Sequence, residues 1–454
     1  MTRPATVTLR VVKGRKEGTE HVFAERTTCV LGRAADCDPR LPDDEHHRTV
    51  SRHHCLLDIN PPDARVRDLG SLNGTYVNGT KIGQRQAHQT PTEGMAESHP
   101  EHDLTDGDEI RIGETVFRVA IDAPARDGGT RRLARCAQCG RKVDDEVGER
   151  AGEYVCAACQ SDPSAVLRVL LEVARNGRTD LAVISDYEPL RELGRGGMGA
   201  VHLARHRRTG EEVALKVMLP KVAASTDACA RFLREIGLTR ALRHPNIVSL
   251  RDSGFADGTF FFTLEYCPGG GLDGMVRRRG GRLPVEEAVP IFLQALDGLA
   301  HAHEQGVVHR DLSPSNILLS ENEVGSPVAK VADFGLAKAF DQAGLSGLTR
   351  TGTAAGKPWY IPRQQVINFR AASPAVDTWA LAACLYQVIS GHWPREFPRG
   401  KDPWRVVLET PATPIRRHDP GIPRALAEVI DHALQERPAI GFQTAAELRD
   451  ALSS

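Results

Sequence analysis

Apolar and polar positions alternate with a period of two along the first part of the chain and fall at helical spacing later. Thr6–Val12 alternates and stops near Gly14, Cys29–Leu31 runs into Gly32, and His54–Ile59 runs into Asn60-Pro61-Pro62. Asn73-Gly74 and Asn78-Gly79 bracket Thr75–Val77, the strongest short-range hairpin signal a sequence offers. The spacing predicts short strands joined by turns, an all-β sandwich over residues 6–120. From Gln84 to Asp103 the pattern lapses into a polar stretch with two prolines, read as an exposed loop insertion, and strands resume over Leu104–Val119.

Past Asp122 a basic run (Arg131, Arg132, Arg135) leads into two Cys-x-x-Cys pairs within residues 133–162. Val166, Leu167, Leu170, Leu171 and Ala174 then sit at helical spacing, with Pro163 suited to the first turn and Gly177 to the stop. That predicts one amphipathic helix in a linker, 163–186. From residue 187 to 454 strands come first and helices follow, without an internal repeat.

The 454 residues suggest about three domains. Lysine and arginine number 58 against 59 for aspartate and glutamate, a net charge of −1, which argues against a nucleic-acid backbone or an anionic membrane as the main partner. With 41% apolar and 26% charged residues, the chain is globular rather than disordered, collagenous or coiled-coil. No apolar run approaches the ~18–20 residues that span a bilayer, and Met-Thr-Arg-Pro lacks the apolar core of a signal peptide. Ten cysteines are too sparse for a disulfide scaffold, and two Cys-x-x-Cys pairs fit a reducing cytoplasm with one metal site.

The chemistry concentrates beyond residue 187. Leu193-Gly194-Arg195-Gly196-Gly197-Met198-Gly199-Ala200-Val201 is glycine-rich between two strand-like segments, and glycines let backbone approach phosphates. Val213-Ala214-Leu215-Lys216 sets a lysine in an apolar strand, where a cation needs an anion, and Glu235 in a helical stretch can supply one. His309-Arg310-Asp311-Leu312-Ser313-Pro314-Ser315-Asn316 and Asp333-Phe334-Gly335 follow. In this order the motifs resemble the bacterial branch of the eukaryotic-type serine/threonine protein kinases. The resemblance implies a two-lobed α+β fold with ATP between the lobes. It implies that Gly194, Gly196 and Gly199, flanked by Leu193 and Val201, cover the phosphates. Lys216 would hold the α- and β-phosphates and pair with Glu235. Asp311 would accept the substrate proton, and Asn316 and Asp333 would bind magnesium or manganese. Glu265-Tyr266-Cys267 would form the hinge that bonds adenine, with Leu264 guarding the back pocket, and Asp377 would brace the catalytic loop.

Arg310 would receive a phosphate from the activation segment, where Thr351 and Thr353 match the Thr-x-Thr pattern of bacterial relatives. Several positions depart from the family. Ser313 stands where the family has the lysine that steadies the transferring phosphoryl group, Lys357 replaces the threonine of Gly-Thr-Pro, and Gly271 replaces an acidic residue that meets the ribose. Gln364 replaces the glutamate that pairs with an arginine, leaving Arg437 to sit alone or bond the amide.

At the N-terminal end Gly32-Arg33, Ser51-Arg52-His53-His54 and Asn73-Gly74-Thr75-Tyr76-Val77-Asn78-Gly79 resemble the forkhead-associated (FHA) domain, a β-sandwich that binds phosphothreonine. The resemblance implies Arg33, Ser51 and Arg52 on phosphate, Asn73 on the peptide, and a structural His54.

Cys136, Cys139, Cys156 and Cys159 have the spacing of a Cys₄ zinc ribbon, with a redox dithiol pair and unmodified thiols as the rival readings. The remaining six cysteines are expected to be buried thiols. The whole then reads as a multidomain, cytoplasmic ATP-dependent kinase that takes protein substrates and binds phosphothreonine partners. A homodimer that phosphorylates itself in trans stays open. A pseudokinase scaffold is the rival: Ser313, Lys357 and Gln364 favour it, and the intact Lys216, Glu235, Asp311, Asn316 and Asp333 oppose it.

Overall fold

Alternation in the first hundred residues resolves into two antiparallel sheets. The computed structural model describes residues 5–86, 99–122, 135–143, 152–175, 182–196, 199–220, 224, 226–321, 327–334, 339, 343, 357–369, 373–398 and 401–454. Strands β1 (Thr6–Lys13), β2 (Glu20–Phe23), β3 (Thr27–Leu31), β4 (Cys55–Asn60), β5 (Asp63–Asp68), β6 (Thr75–Val77), β7 (Thr80–Gly83), β8 (His102–Leu104), β9 (Glu109–Ile112) and β10 (Thr115–Asp122) come first. They run β2-β1-β10-β9-β6-β7 in one sheet and β3-β4-β5-β8 in the other. Inward residues Val7, Leu9, Leu57, Ile59, Phe117 and Val119 close one apolar core between them. Asn78 and Gly79 turn the β6–β7 hairpin with φ of 50° and 80°, the left-handed pair that a tight hairpin needs.

Strand β8 begins inside the stretch expected to be a loop. Glu101 and Asp103 pair with Arg65 of β5 at 3.0 and 2.5 Å. Charge pairing rather than apolar alternation makes this strand, so the hydropathy pattern does not announce it.

The cysteine segment and helix α1 (Pro163–Arg175) precede a five-stranded sheet. Its strands are β11 (Tyr187–Gly196), β12 (Gly199–His206), β13 (Glu212–Met218), β14 (Leu250–Ala256) and β15 (Thr259–Glu265), in the order β11-β12-β13-β15-β14. Alternation along β13 divides its side chains. Val213, Leu215 and Val217, with Phe261 of β15, share a buried cluster with Tyr154, Val155, Val166 and Leu170. Met218, Phe260 and Phe262 pack instead with Phe232 of α2 (Thr226–Thr239), whose ring meets Phe260 edge-on at 4.6 Å. The cysteine segment therefore serves as a lid on the outer face of this sheet. Glu153 ties it down, accepting from the Gly258 amide at 2.6 Å.

The large lobe is helical. Helices α3 (Leu272–Arg278), α4 (Val285–Glu304), α5 (Arg363–Ile367), α6 (Ala375–Ser390), α7 (Pro403–Glu409), α8 (Arg424–Ala433) and α9 (Ala445–Ser453) surround a core that includes Leu296, Trp379, Leu385, Ile430 and Leu448. Gly391 stops α6 in the left-handed conformation, φ 76°. A small sheet of β16 (Gly270–Gly271), β17 (Ile317–Glu321) and β18 (Pro327–Val331) joins the core of this lobe through Ile317, Ala329 and Val331.

The sandwich packs directly on this lobe. Val30, Leu56 and Leu69 share a buried cluster with Val366, Trp404 and Leu408. Around it Arg363 reaches Asp36 at 2.5 Å, Arg67 reaches Asp402 at 2.5 Å, and the Asn368 amide donates to Asp38 at 2.6 Å. Asp402 also caps α7, accepting from the Trp404 amide at 2.9 Å. Among the described residues no helix is long and apolar enough to cross a membrane.

Candidate functional site

Strand β13 carries Lys216 on the face opposite the cysteine lid, into the cleft between the lobes. Its Nζ donates to Asp333 at 2.6 Å, joining the small lobe to the segment that follows β18. Glu235 lies on α2, but its side chain is outside the described residues, and so is the expected Lys216–Glu235 pair. β11 and β12 pair Gly194 with Val201 and Gly196 with Gly199, and residues 197–198 at the tip lie outside the described residues. At Gly199 φ is 150°, and a Cβ would lie 1.8 Å from the Val217 carbonyl oxygen, so no other residue fits there.

The loop from His309 to Asn316 is held from below. Asp377, fully buried, accepts from the His309 and Arg310 amides at 2.7 Å each and pairs with His303 at 2.9 Å. Arg310 and Asp333 have φ of 66° and 63°, conformations that cost about 1–3 kcal/mol each and persist only where surroundings enforce them. The Asn316 amide donates to the Asp311 carbonyl at 2.7 Å, fixing the loop's width. Burial pushes the Asp311 carboxyl up, while the charges of His309, Lys357 and Lys216 pull it down. The Arg310 guanidinium donates to the Phe369 carbonyl at 3.1 Å and lies over the Phe369 ring. Thr351 and Thr353 lie outside the described residues.

At the expected hinge, Glu265 pairs with Lys330 at 3.0 Å. Cys267 joins Val248 and Ala332 in a buried cluster flanked by Leu264 and Leu318. Val248, Leu318 and Ala332 escaped sequence reasoning because single apolar residues carry no motif. Only the fold brings them to the hinge. Gly271 has an acid beside it after all: a Cβ there would lie 2.5 Å from Asp273 Oδ1, two residues on.

The expectation for Arg437 is corrected. Arg437 is exposed and donates to the Leu408 carbonyl at 3.2 Å, and the Gln364 amide donates to the Glu436 carbonyl at 2.8 Å. The buried ion pair here joins Arg395 to Glu436, whose other oxygen accepts from the Arg363 amide at 2.7 Å. Glu436, 72 residues beyond Gln364, thus supplies the buried acid here, and its arginine is Arg395 rather than Arg437.

In the sandwich, Arg33, Ser51 and Arg52 line one cavity of about 380 Å³. Arg33 Nε donates to the Val50 carbonyl at 2.9 Å, and Nη1 pairs with Asp43 at 2.5 Å. Asn73 does not line this cavity; its amide donates to the carbonyl of Thr49, which does. His54 is fully buried, accepts from the Ser51 amide at 2.9 Å and donates to the Gly74 carbonyl at 3.2 Å, while burial lowers its pKa. The cavity's far wall is Arg405, Glu409 and Arg437 of the large lobe, which no sequence motif indicated.

The four sulfurs of Cys136, Cys139, Cys156 and Cys159 lie within 4.8 Å of one another. Tetrahedral zinc with bonds of about 2.3 Å places sulfurs about 3.8 Å apart, so the cluster could hold that ion. Burial raises the Cys136 thiol, but the Cys156, Cys139 and Gln138 amides outweigh it and leave the group at about 7. The other six cysteines are buried.

Comparison with known proteins supplies the family context. A protein kinase domain model matches residues 187–439, and an FHA domain model matches residues 29–93. Serine/threonine-protein kinase PknB of Mycobacterium leprae is 34% identical over 265 residues, covering 57% of this chain and 41% of its own length. Serine/threonine-protein kinase PknJ of Mycobacterium tuberculosis is 30% identical over 275 residues, covering 60% and 46%. The chain thus spans less than half the length of these relatives. The crystal structure of the Mycobacterium tuberculosis PknI kinase domain aligns with a TM-score of 0.45 at 27% identity, over 59% of this chain and 96% of that one.

Proposed function

The chain belongs to the protein kinase family, and from that premise we propose that it transfers the γ-phosphate of ATP to serine or threonine hydroxyls of proteins. The observation that carries this reading is the 2.6 Å pair between Lys216 and Asp333, which sets a phosphate-binding cation and a metal-binding carboxylate together beside Asp311. Lys216 holds the α- and β-phosphates, and Gly194, Gly196 and Gly199 bring backbone close to them without a Cβ. Leu193, Val201, Leu318 and Ala332 enclose the adenine, which bonds to the backbone of Glu265 and Cys267. The oxygens of Asn316 and Asp333 suit a hard cation, and magnesium bound there neutralises charge on the phosphates. Asp311 orients the substrate hydroxyl and accepts its proton. Raised by burial, its carboxyl is a better base than an exposed aspartate.

The sandwich is read as a phosphothreonine-binding module. Arg33, Ser51 and Arg52 hold the phosphate and Asn73 orders the loop that meets the peptide. The ligand is a substrate, a partner, or a second copy of this chain phosphorylated at Thr351 or Thr353. The cysteine cluster is read as a closed structural zinc site, with all four positions filled by thiolates. Ten free cysteines fit a reducing cytoplasm.

The test is transfer of labelled phosphate from ATP to a generic protein substrate and to the chain itself, with Asp333→Asn as control. Labelling by the wild type alone supports the reading; equal labelling by both proteins, or by neither, defeats it.

A further inference from the structure

The catalytic loop lacks its expected lysine at Ser313, yet an ammonium from elsewhere bonds the hydroxyl that stands there. Lys357 Nζ donates to Ser313 Oγ at 2.6 Å and to Ser315 Oγ at 2.7 Å, reaching the loop from 44 residues away. Ser313 is 1% exposed and Lys357 half-buried. Both acceptors are neutral hydroxyls, and among the described residues no carboxylate comes within ion-pair distance of Lys357. Its charge is felt at Asp311. A half-buried ammonium held among the described residues by hydroxyls, near enough to the base for its charge to act there, is an anion site awaiting its anion.

We propose that Lys357 binds the transferring phosphoryl group and that Ser313 and Ser315 position it. Amine and hydroxyl have exchanged places between the catalytic loop and the segment facing it, so the charge at the reaction centre is conserved although neither residue is. The inference rests on the transferase reading above. In the reaction, the substrate hydroxyl oxygen forms its bond to the γ-phosphorus as the bond to the β–γ bridging oxygen breaks. The electron pair of that bond leaves on ADP, and the substrate proton goes to Asp311. Lys357 keeps its protons throughout and lends charge to the equatorial oxygens.

The experiment uses the full chain with ATP, a generic protein substrate, and direct binding of ADP and a non-hydrolysable ATP analogue. Lys357→Ala should lower kcat roughly 10²–10³-fold with little change in KM for protein substrate, and should erase the preference for the ATP analogue over ADP. The exchange variant Ser313→Lys/Lys357→Thr should recover most of both, which a merely structural role for Lys357 would not allow. A Lys357→Ala protein that melts like wild type, keeps kcat within twofold and keeps the analogue preference would overturn the proposal. Because nucleotide preference is read without turnover, an inactive wild type defeats only the transferase reading. Loss of the preference in Lys357→Ala would still uphold the phosphate contact, and its retention would sink it.

Discussion

The Arg363 guanidinium of the helical lobe reaches the Asp36 carboxylate of the sandwich at 2.5 Å, across 327 residues of sequence. Asp36 is held on its other side by His53 at 3.1 Å, a residue of the same loop that carries Ser51 and Arg52. The pair thus connects a loop that lines the sandwich cavity to α5, in the lobe that carries Asp311.

Removing the carboxylate should loosen that contact without unfolding either partner. Asp36→Ala leaves a buried arginine without its anion, a change worth about 1.5–3 kcal/mol for hydrogen bonds to charged groups. Faster hydrogen exchange in residues 27–38 and 361–369, with the sandwich core unchanged, is the expected result. Unchanged exchange in both segments would mean the interface does not depend on this pair.

Acid should act in the same direction. The His53 hydrogen bond, helped by Arg363 and opposed by burial, holds the Asp36 carboxyl far below its ordinary value near 3.9. A carboxyl depressed in the folded state stabilises that state fully above its unfolded value, and the contribution declines as pH falls from there toward the folded value. The melting temperatures of wild type and Asp36→Asn should therefore differ at neutral pH and converge below about pH 4. A gap that stays constant to pH 3 would exclude this linkage.

The shared cavity makes a graded prediction. Arg33→Ala should reduce the affinity of the full chain for phosphothreonine peptides at least ~10²-fold, because a charge-assisted fork is lost. Arg437→Ala, on the far wall and exposed, should cost roughly 3–10-fold. Fluorescence anisotropy with a phosphorylated and an unphosphorylated peptide separates the two effects. Equal binding of both peptides by wild type would reject the pocket itself.

Metal removal should be felt in the small lobe. One zinc per chain by elemental analysis is expected, and Cys156→Ser or a chelator should raise hydrogen exchange at Val213–Val217, which the cysteine segment covers. If exchange there stays at its wild-type level while zinc is lost, the lid does not need metal to stay in place.

Most of the candidate site is legible in sequence because its motifs are local. Gly194 to Val201, Val213 to Lys216 and His309 to Asn316 each need residue types a few positions apart, and α1 announced itself by Pro163 and its apolar spacing. What was not legible lies between segments distant in sequence. Lys357 and Ser313 looked like two independent losses until the fold set them 2.6 Å apart. Gln364 and Glu436 follow the same pattern: the acid that Gln364 lacks is supplied 72 residues further on. Position-by-position comparison registers each move as a deficit. The seating of Val30, Leu56 and Leu69 on Val366 and Trp404 left no trace either, since a residue that faces a second domain has the same hydropathy as one that faces its own core.

The two added modules rest on opposite sides of the hinge: the sandwich grips the large lobe at α5 and α7, and the cysteine lid grips the small lobe at β13 and β15. Perturbations entering through them load different lobes, and among the described residues the two buried clusters have no member in common, so their free energies should add rather than interact. A phosphopeptide on the sandwich and a metal in the cysteine cluster should therefore shift the melting temperature by independent increments, the effect of both together being the sum of the two.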